Sequence, residues 1–238
     1  MSAAELGRHA AIAGTCCAAM TQTDSRRRYY LAQQAKCVFY PNKAGFGTPI
    51  QFQAKVLELT KRQVFTSIRA EANFHPVADF DIAYTILTAE TFERLFGWRR
   101  QETPEASNPY LRLLPGDLAK AASWSKMVIA NVPVSACAGH FENYPALPIA
   151  VLMGRLSELA GRTLAESPVP YRVRRGSIEA KDLVWAGECA EFMVERTESS
   201  PPYTTFNCKV VADDRVVATM TLLLEALSPN CHLMGKDA

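Results

Sequence analysis

The chain has 238 residues, of which 48% are hydrophobic and 21% charged, and its formal net charge is +2. This length and composition suit a globular protein with one large or two small domains, and so small a charge gives no basis for a nucleic-acid partner. No apolar run reaches the roughly 18 residues that would cross a bilayer, and the residues at the N-terminus do not predict a secretion signal. Seven scattered cysteines form neither a disulfide framework nor a zinc pattern, so we expect a reduced, cytoplasmic protein without a metal.

The first half of the chain is predicted to contain one helix followed by four strands. Residues 5–20 are rich in small side chains and predict a tightly packed helix. Strand patterns with partial alternation follow at 29–40, 50–59, 63–72 and 77–87. The glycine- and proline-containing stretch PNKAGFGTP breaks the pattern after the first strand.

The second half repeats this layout. Strand material and a histidine loop at 125–141 precede an apolar helix at 148–161, and strands are predicted at 171–185, 190–196, 203–212 and 215–226. Phe52 and Phe192 are 140 positions apart, and Tyr29 and Tyr171 are 142 apart. We therefore expect an α+β fold in which each half wraps a curved antiparallel sheet around a central helix. The expected boundaries are a first repeat at 1–97, a polar linker at 98–117 and a second repeat at 118–238.

The histidine loop suggests the chemistry. Pro145 and Pro148 stiffen it, and Pro148 suits the start of a helix, where its missing N–H costs nothing. The helix N-terminus offers free N–H groups and a positive dipole end to a carbonyl oxygen that gains negative charge. The imidazole of His140 can take a proton from the carbon next to a thioester carbonyl. These parts suit dehydration, hydration or double-bond isomerisation of an acyl thioester; the alternative is a structural histidine bonded to backbone.

The segment GHFENYPALPIAVLM resembles the signature of the hotdog-fold 3-hydroxyacyl-carrier-protein dehydratases. Gly139, His140, Phe141, Pro145 and Pro148 match that signature at its spacing. The tandem layout resembles a double hotdog, in which two repeats form the pseudo-dimer that single-repeat members build from two chains. The resemblance implies an acyl-thioester dehydratase of fatty-acid or polyketide biosynthesis, whose substrate is carried by phosphopantetheine on a carrier protein or by coenzyme A.

The chain lacks the acidic residue that belongs to the signature. Glu142 and Asn143 replace the proline and glycine after the His-Phe pair, and Gly154 stands where the family has a helical carboxylate. In that family, the acid that works with a given histidine comes from the opposite repeat. The sequence offset places this position near residues 12–14, which contain no carboxylate. The general acid is therefore missing or replaced, for example by a polar side chain of the first helix.

Two sets of candidate site residues follow from the loop and the first helix. The predicted catalytic residues are His140, His9 and Cys17. The predicted substrate-binding residues are Gly139, Phe141, Pro148, Ile149, Gly14 and Thr15. The alternatives are a helix-start histidine bonding a carbonyl for His9, a small core residue for Cys17, and for Glu158 either an exposed carboxylate or the displaced acid.

Three functions remain open from the sequence. The leading hypothesis is a dehydratase with its acyl chain in an apolar tunnel between the central helices, the second is a thioesterase, and the third is a non-catalytic acyl-binding hotdog. No cofactor is implied apart from the substrate's own phosphopantetheine or coenzyme A. The basic segments 25–32 and 172–175 are either solvated surface or docking sites for an acidic acyl carrier protein. The chain is expected as a monomeric pseudo-dimer or as a homodimer of double hotdogs.

Overall fold

The structure is a computed structural model, and it describes residues 2–41, 47–102, 114, 116–137, 140–165 and 167–227. The first part of the chain contains α1 (Ala3–Met20), β1 (Arg28–Phe39), β2 (Gln51–Leu59), β3 (Gln63–Ala72), β4 (His75–Thr88) and α2 (Ala89–Phe96). The second part contains β5 (Asp117–Lys120), β6 (Trp124–Ile129), α3 (Ile149–Thr163), β7 (Tyr171–Ala180), β8 (Ala190–Ser200), β9 (Tyr203–Ala212) and β10 (Arg215–Ala226).

All strands of the described residues form one antiparallel sheet, in the order β2-β3-β4-β1-β7-β10-β9-β8-β6-β5. The two halves meet at a seam where residues 34–38 of β1 pair with residues 175–179 of β7. Outward from this seam, the order β1, β4, β3, β2 on one side corresponds to β7, β10, β9, β8 on the other. The predicted α+β class with an antiparallel sheet is confirmed.

The two halves also share their register irregularities. The β2–β3 ladder shifts between Val56 and Glu58, and the β8–β9 ladder shifts between Arg196 and Glu198, 140 positions later. The β1–β4 ladder skips residue 33, and the β7–β10 ladder skips residue 174. A bulge bends and twists its strand locally, and the two half-sheets carry theirs at matching positions.

Each central helix packs on its own half of the sheet. In α1 the buried residues Leu6, Ala10, Gly14 and Ala18 recur every four positions and therefore share one face, which rests mainly on β2 and β3. The close approach requires glycine at position 14, because a Cβ atom there would lie 2.6 Å from the hydroxyl oxygen of Tyr84. The larger residues Leu152, Leu156 and Leu159 fill the corresponding space beneath α3.

Three details differ from the sequence prediction. Strand β7 ends at Ala180 rather than at 185, because the following residues pair with the histidine loop instead of the sheet: Leu147 N–H donates to the Val184 carbonyl at 2.8 Å. Helix α2 and strand β5 were not predicted. Of the predicted linker, residues 103–113 and 115 lie outside the described residues.

None of the described helices is long and apolar enough to cross a membrane.

Candidate active site

A cavity of about 880 Å³ lies between α1, α3 and the seam strands β1 and β7. Small side chains let the two helices touch beside it: a Cβ atom on Gly7 would lie 3.5 Å from Cε of Met153, and one on Gly154 would lie 3.5 Å from Cβ of Ala4. Aliphatic and aromatic side chains from both helices and both strands dominate the lining. A cavity of this size and character suits an acyl chain.

The histidine loop lies where the two halves of the sheet are no longer paired. Strands β1 and β7 pair only over residues 34–38 and 175–179, and beyond that seam the loop contacts Tyr29 at the start of β1 and Val184 after β7. The loop is pinned to the segment after β7 by the Leu147–Val184 hydrogen bond and by Ala186 N–H, which donates to the Pro145 carbonyl at 2.9 Å. The loop therefore forms one wall of the cavity.

His140 lines this cavity and is half-buried. Its Nδ1 atom is fully buried and has no hydrogen-bond partner among the described residues. Burial lowers the pKa of His140 to about 4. The hydrogen-bonding effect of the Ala146 backbone raises the pKa and offsets this shift only in part. The imidazole is consequently neutral near pH 7 and able to accept a proton.

Aromatic packing holds the histidine loop from the side of the first half. The buried ring of Phe141 lies 5.3 Å from the ring of Phe92 in α2 and 6.0 Å from that of Tyr29, measured between centroids. Tyr144 contacts Phe92 at 5.1 Å, and its hydroxyl donates to the carboxylate of Glu93. Helix α2 thus holds two residues that closely follow His140 in the loop.

The N-terminus of α3 also faces the cavity. Pro148 precedes the helix and no side chain caps it. The N–H groups of Val151 and Leu152 bond to the Pro148 carbonyl, which leaves those of Ile149 and Ala150 without an intrahelical acceptor. Both residues line the cavity, so these amides and the helix dipole can stabilise negative charge near His140.

The structure brings together only part of the predicted site. Thr15, Phe141, Pro148 and Ile149 line the same cavity as His140. Gly14 faces the sheet at Tyr84 instead, and Gly139 lies outside the described residues.

The two other predicted catalytic residues do not line the cavity. Cys17 donates from its thiol to the Ala54 carbonyl at 3.5 Å, on the side of β2. His9 lies with its Nε2 atom 3.4 Å from the Glu5 carboxylate and 3.1 Å from the guanidinium of Arg8. His140 is therefore the predicted catalytic residue that the cavity exposes to a ligand.

Arg8 of α1 also lines the cavity. It is held by Glu5, with Nη2 to Oε1 at 2.6 Å. Neither Gly154 nor residues 12–14 offer a carboxylate, so neither helix supplies the acid at the position that the resemblance calls for.

Helix α2 was missed at the level of sequence, although a signal for it exists. Thr88 caps the helix by accepting a hydrogen bond from Thr91 N–H at 3.1 Å, and Glu90 lies in the first turn. Threonine followed by an acidic residue and an amphipathic run is a known helix-start pattern. A run of eight residues is too short for hydrophobic periodicity alone to indicate a helix.

No protein-family model matches the chain, and no curated protein is similar to it in sequence. Among solved structures, the chain is similar to the tesB protein of Mycobacterium avium subspecies paratuberculosis, with TM-score 0.68, 10% identity, and coverage of 96% of this chain and 88% of that one. It is also similar to an acyl-ACP thioesterase from Bacteroides thetaiotaomicron, with TM-score 0.59, 11% identity, and coverage of 94% and 90%. A conserved protein of unknown function with hot dog fold from Alicyclobacillus acidocaldarius gives TM-score 0.56, 14% identity, and coverage of 91% and 85%.

The chain has the hotdog fold. At such low identity, the similarity concerns the backbone arrangement and carries no residue role from one protein to another. The hotdog expectation drawn from the GHF segment is confirmed at the level of the fold. The dehydratase subfamily within that fold stays a prediction.

Proposed function

We propose that this protein hydrolyses acyl thioesters, with the acyl chain in the cavity and His140 as the base. The observation that carries the proposal is the neutral imidazole of His140 on the wall of a large apolar cavity, beside the uncapped N-terminus of α3. Several similar structures are named as acyl-CoA or acyl-ACP thioesterases, which supports hydrolysis over dehydration.

In the proposed reaction, water attacks the thioester carbonyl carbon while His140 takes one of its protons. The new C–O bond places negative charge on the carbonyl oxygen, which the Ile149 and Ala150 amides and the α3 dipole stabilise. When the carbonyl re-forms, the C–S bond breaks and the imidazolium returns its proton to the departing sulfur. The products are a carboxylic acid and a free thiol, and no redox or metal chemistry is required.

We further propose that the two halves are the repeats of a double hotdog, with approximate bounds 1–97 and 118–238. Support comes from the corresponding strand orders and from bulges that recur 140 or 141 positions apart. In this arrangement, α1 and α3 correspond to the two central helices, and the acyl chain lies between them.

A dehydratase is the second candidate, favoured by the position of His140 one short loop ahead of α3. Dehydration needs a group that protonates the departing hydroxyl. Gly154 has no side chain to do so, and Arg8, the residue of α1 that brings a charge to the cavity wall, is a permanent cation and a poor proton donor. Hydrolysis needs no such acid, which is why we place it first.

Product analysis separates the candidates. The purified protein is incubated with saturated acyl-CoA and 3-hydroxyacyl-CoA thioesters of several chain lengths, and the products are identified by mass spectrometry. The proposal expects free acid and coenzyme A from both kinds of substrate. Loss of water from the 3-hydroxyacyl thioesters without free acid would identify a dehydratase. Binding of every thioester without conversion would identify a non-catalytic acyl-binding protein.

A further inference from the structure

We infer that Arg27 binds the phosphate of a pantetheine arm at the mouth of the cavity, in place of its present partner Glu142. This inference rests on the proposed function, because it concerns the carrier of the thioester. Coenzyme A and the prosthetic group of an acyl carrier protein share this arm and its phosphate ester.

The pair joins the two halves beside the proposed base. Arg27 immediately precedes β1, and Glu142 is two residues after His140. Nη2 of Arg27 lies 3.1 Å from Oε2 of Glu142, and the two side chains are 58% and 71% exposed. Both residues line the cavity, so this exposed ion pair marks an entrance to it.

The charges around this entrance favour an anion. The other cations that line the cavity near α1 and β1 are Arg8 and Arg28, which are held by Glu5 and Asp24. Among the lining anions, Asp182 is bound by Arg215, which leaves Glu142 as the partner of Arg27.

Lys181 adds a second positive charge to the lining. It is half-exposed, and its nearest carboxylate, that of Glu179, is 3.7 Å away and equally exposed. An incoming anion that reaches Arg27 therefore displaces one surface carboxylate, that of Glu142.

Displacement of the Glu142 carboxylate from Arg27 by a phosphate is physically favourable. An exposed ion pair contributes little to stability, so opening it costs little. A phosphate ester offers several oxygens to the planar fork of a guanidinium, which binds phosphate with two parallel hydrogen bonds.

The pair lies close to His140 along the chain. The backbone from His140 to Glu142 spans at most about 7 Å, and the two side chains of the pair extend this span outward. A pantetheine arm is flexible and longer than the backbone span, so it can bend within the cavity with its thioester at His140 and its phosphate at Arg27.

The test is a binding measurement that does not depend on turnover. Isothermal titration calorimetry compares phosphopantetheine with pantetheine, which differ only in the phosphate, for the wild type, Arg27→Gln and Arg69→Gln. Arg69 is the matched control, since it is 56% exposed and has one carboxylate partner, Asp79, but does not line the cavity. We expect the wild type and Arg69→Gln to bind phosphopantetheine about fivefold more tightly, and Arg27→Gln to lose that preference.

Several outcomes would overturn the inference. These are equal affinity of the wild type for the two ligands, no measurable binding of either, or a preference that survives in Arg27→Gln. Glu142→Gln, which removes the competing carboxylate, is expected to increase the preference for phosphopantetheine; an unchanged preference would contradict the exchange.

A second set of titrations with coenzyme A and a holo acyl carrier protein identifies the source of the phosphate. The natural carrier is the one that binds more tightly, and Arg27→Gln should weaken that binding. Hydrolysis without any phosphate preference would refute this inference and leave the proposed function standing. Phosphate-dependent binding without hydrolysis of any thioester would do the reverse.

Discussion

The ring of Phe92 in α2 contacts the ring of Phe141, the neighbour of His140, with the two centroids 5.3 Å apart. Tyr29 at the start of β1 stacks on the same Phe92 ring at 3.8 Å. The loop that carries the proposed base in the second half is therefore held by a helix and a strand of the first half. Activity should depend on this contact between the halves as well as on His140 itself.

Replacing Phe92 by leucine should lower kcat strongly and the free energy of unfolding only modestly. Leucine keeps the site apolar but removes the aromatic contacts to Phe141 and Tyr144, so the imidazole loses its fixed position. A small displacement of a catalytic group costs roughly ten- to a hundredfold in kcat. Kinetics on an acyl-CoA substrate would measure this, with Phe74→Leu as the control because Phe74 is 90% exposed in a turn. Equal kcat in the two variants would show that α2 does not position the loop.

Replacing His140 by alanine should abolish most of the hydrolysis. Loss of a general base reduces kcat by about 10² to 10⁴. His75→Ala serves as the control, since His75 is exposed at the start of β4 and does not line the cavity. If His140→Ala retains wild-type kcat while remaining folded, His140 is not the base.

The activity should persist to unusually low pH. The neutral form of His140 is the active one, and its pKa is lowered to about 4 by burial. The value of kcat/KM should therefore be level from neutral pH down to about pH 5, and should fall roughly tenfold per unit below pH 4 as the imidazole becomes protonated. Circular dichroism at each pH would separate titration from unfolding. A profile that already halves near pH 6.5 would show that the base is an unperturbed histidine.

Alanine substitutions at the glycines of the two central helices should differ in their effect on the free energy of unfolding. A Cβ atom at Gly14 would lie 2.6 Å from the Tyr84 hydroxyl, and one at Gly161 would collide with the ring of Tyr171. Overpacking of this kind costs about 1–3 kcal/mol in the free energy of unfolding. At Gly154, the added Cβ would meet Ala4 at an ordinary 3.5 Å.

Gly154→Ala is therefore the matched control for this series. It should be neutral or should stabilise α3 by up to about 1 kcal/mol through helix propensity. Urea unfolding of the three variants measures these differences. A destabilisation of Gly154→Ala as large as that of Gly14→Ala would contradict the described contact between α1 and α3.

Local patterns in the sequence by themselves determine much of this protein. The helices at 5–20 and 148–161 and the strands other than β5 follow from hydrophobic periodicity, which depends only on neighbouring residues. The position of His140 before an apolar helix is likewise a matter of sequence order. The resemblance of the GHF segment pointed to the hotdog fold but placed dehydration ahead of hydrolysis.

Contacts between distant residues decided the rest. Which face of α1 lines the cavity depends on how it packs on β2, β3 and α3, so the sequence did not exclude His9, Cys17 and Gly14 from the cavity wall. The place of Arg8 on the cavity wall and the contact of Gly7 with Met153 likewise depend on how α1 and α3 pack. The Arg27–Glu142 pair joins residues 115 positions apart. Such pairings depend on how the chain packs in three dimensions, and local periodicity contains no information about them.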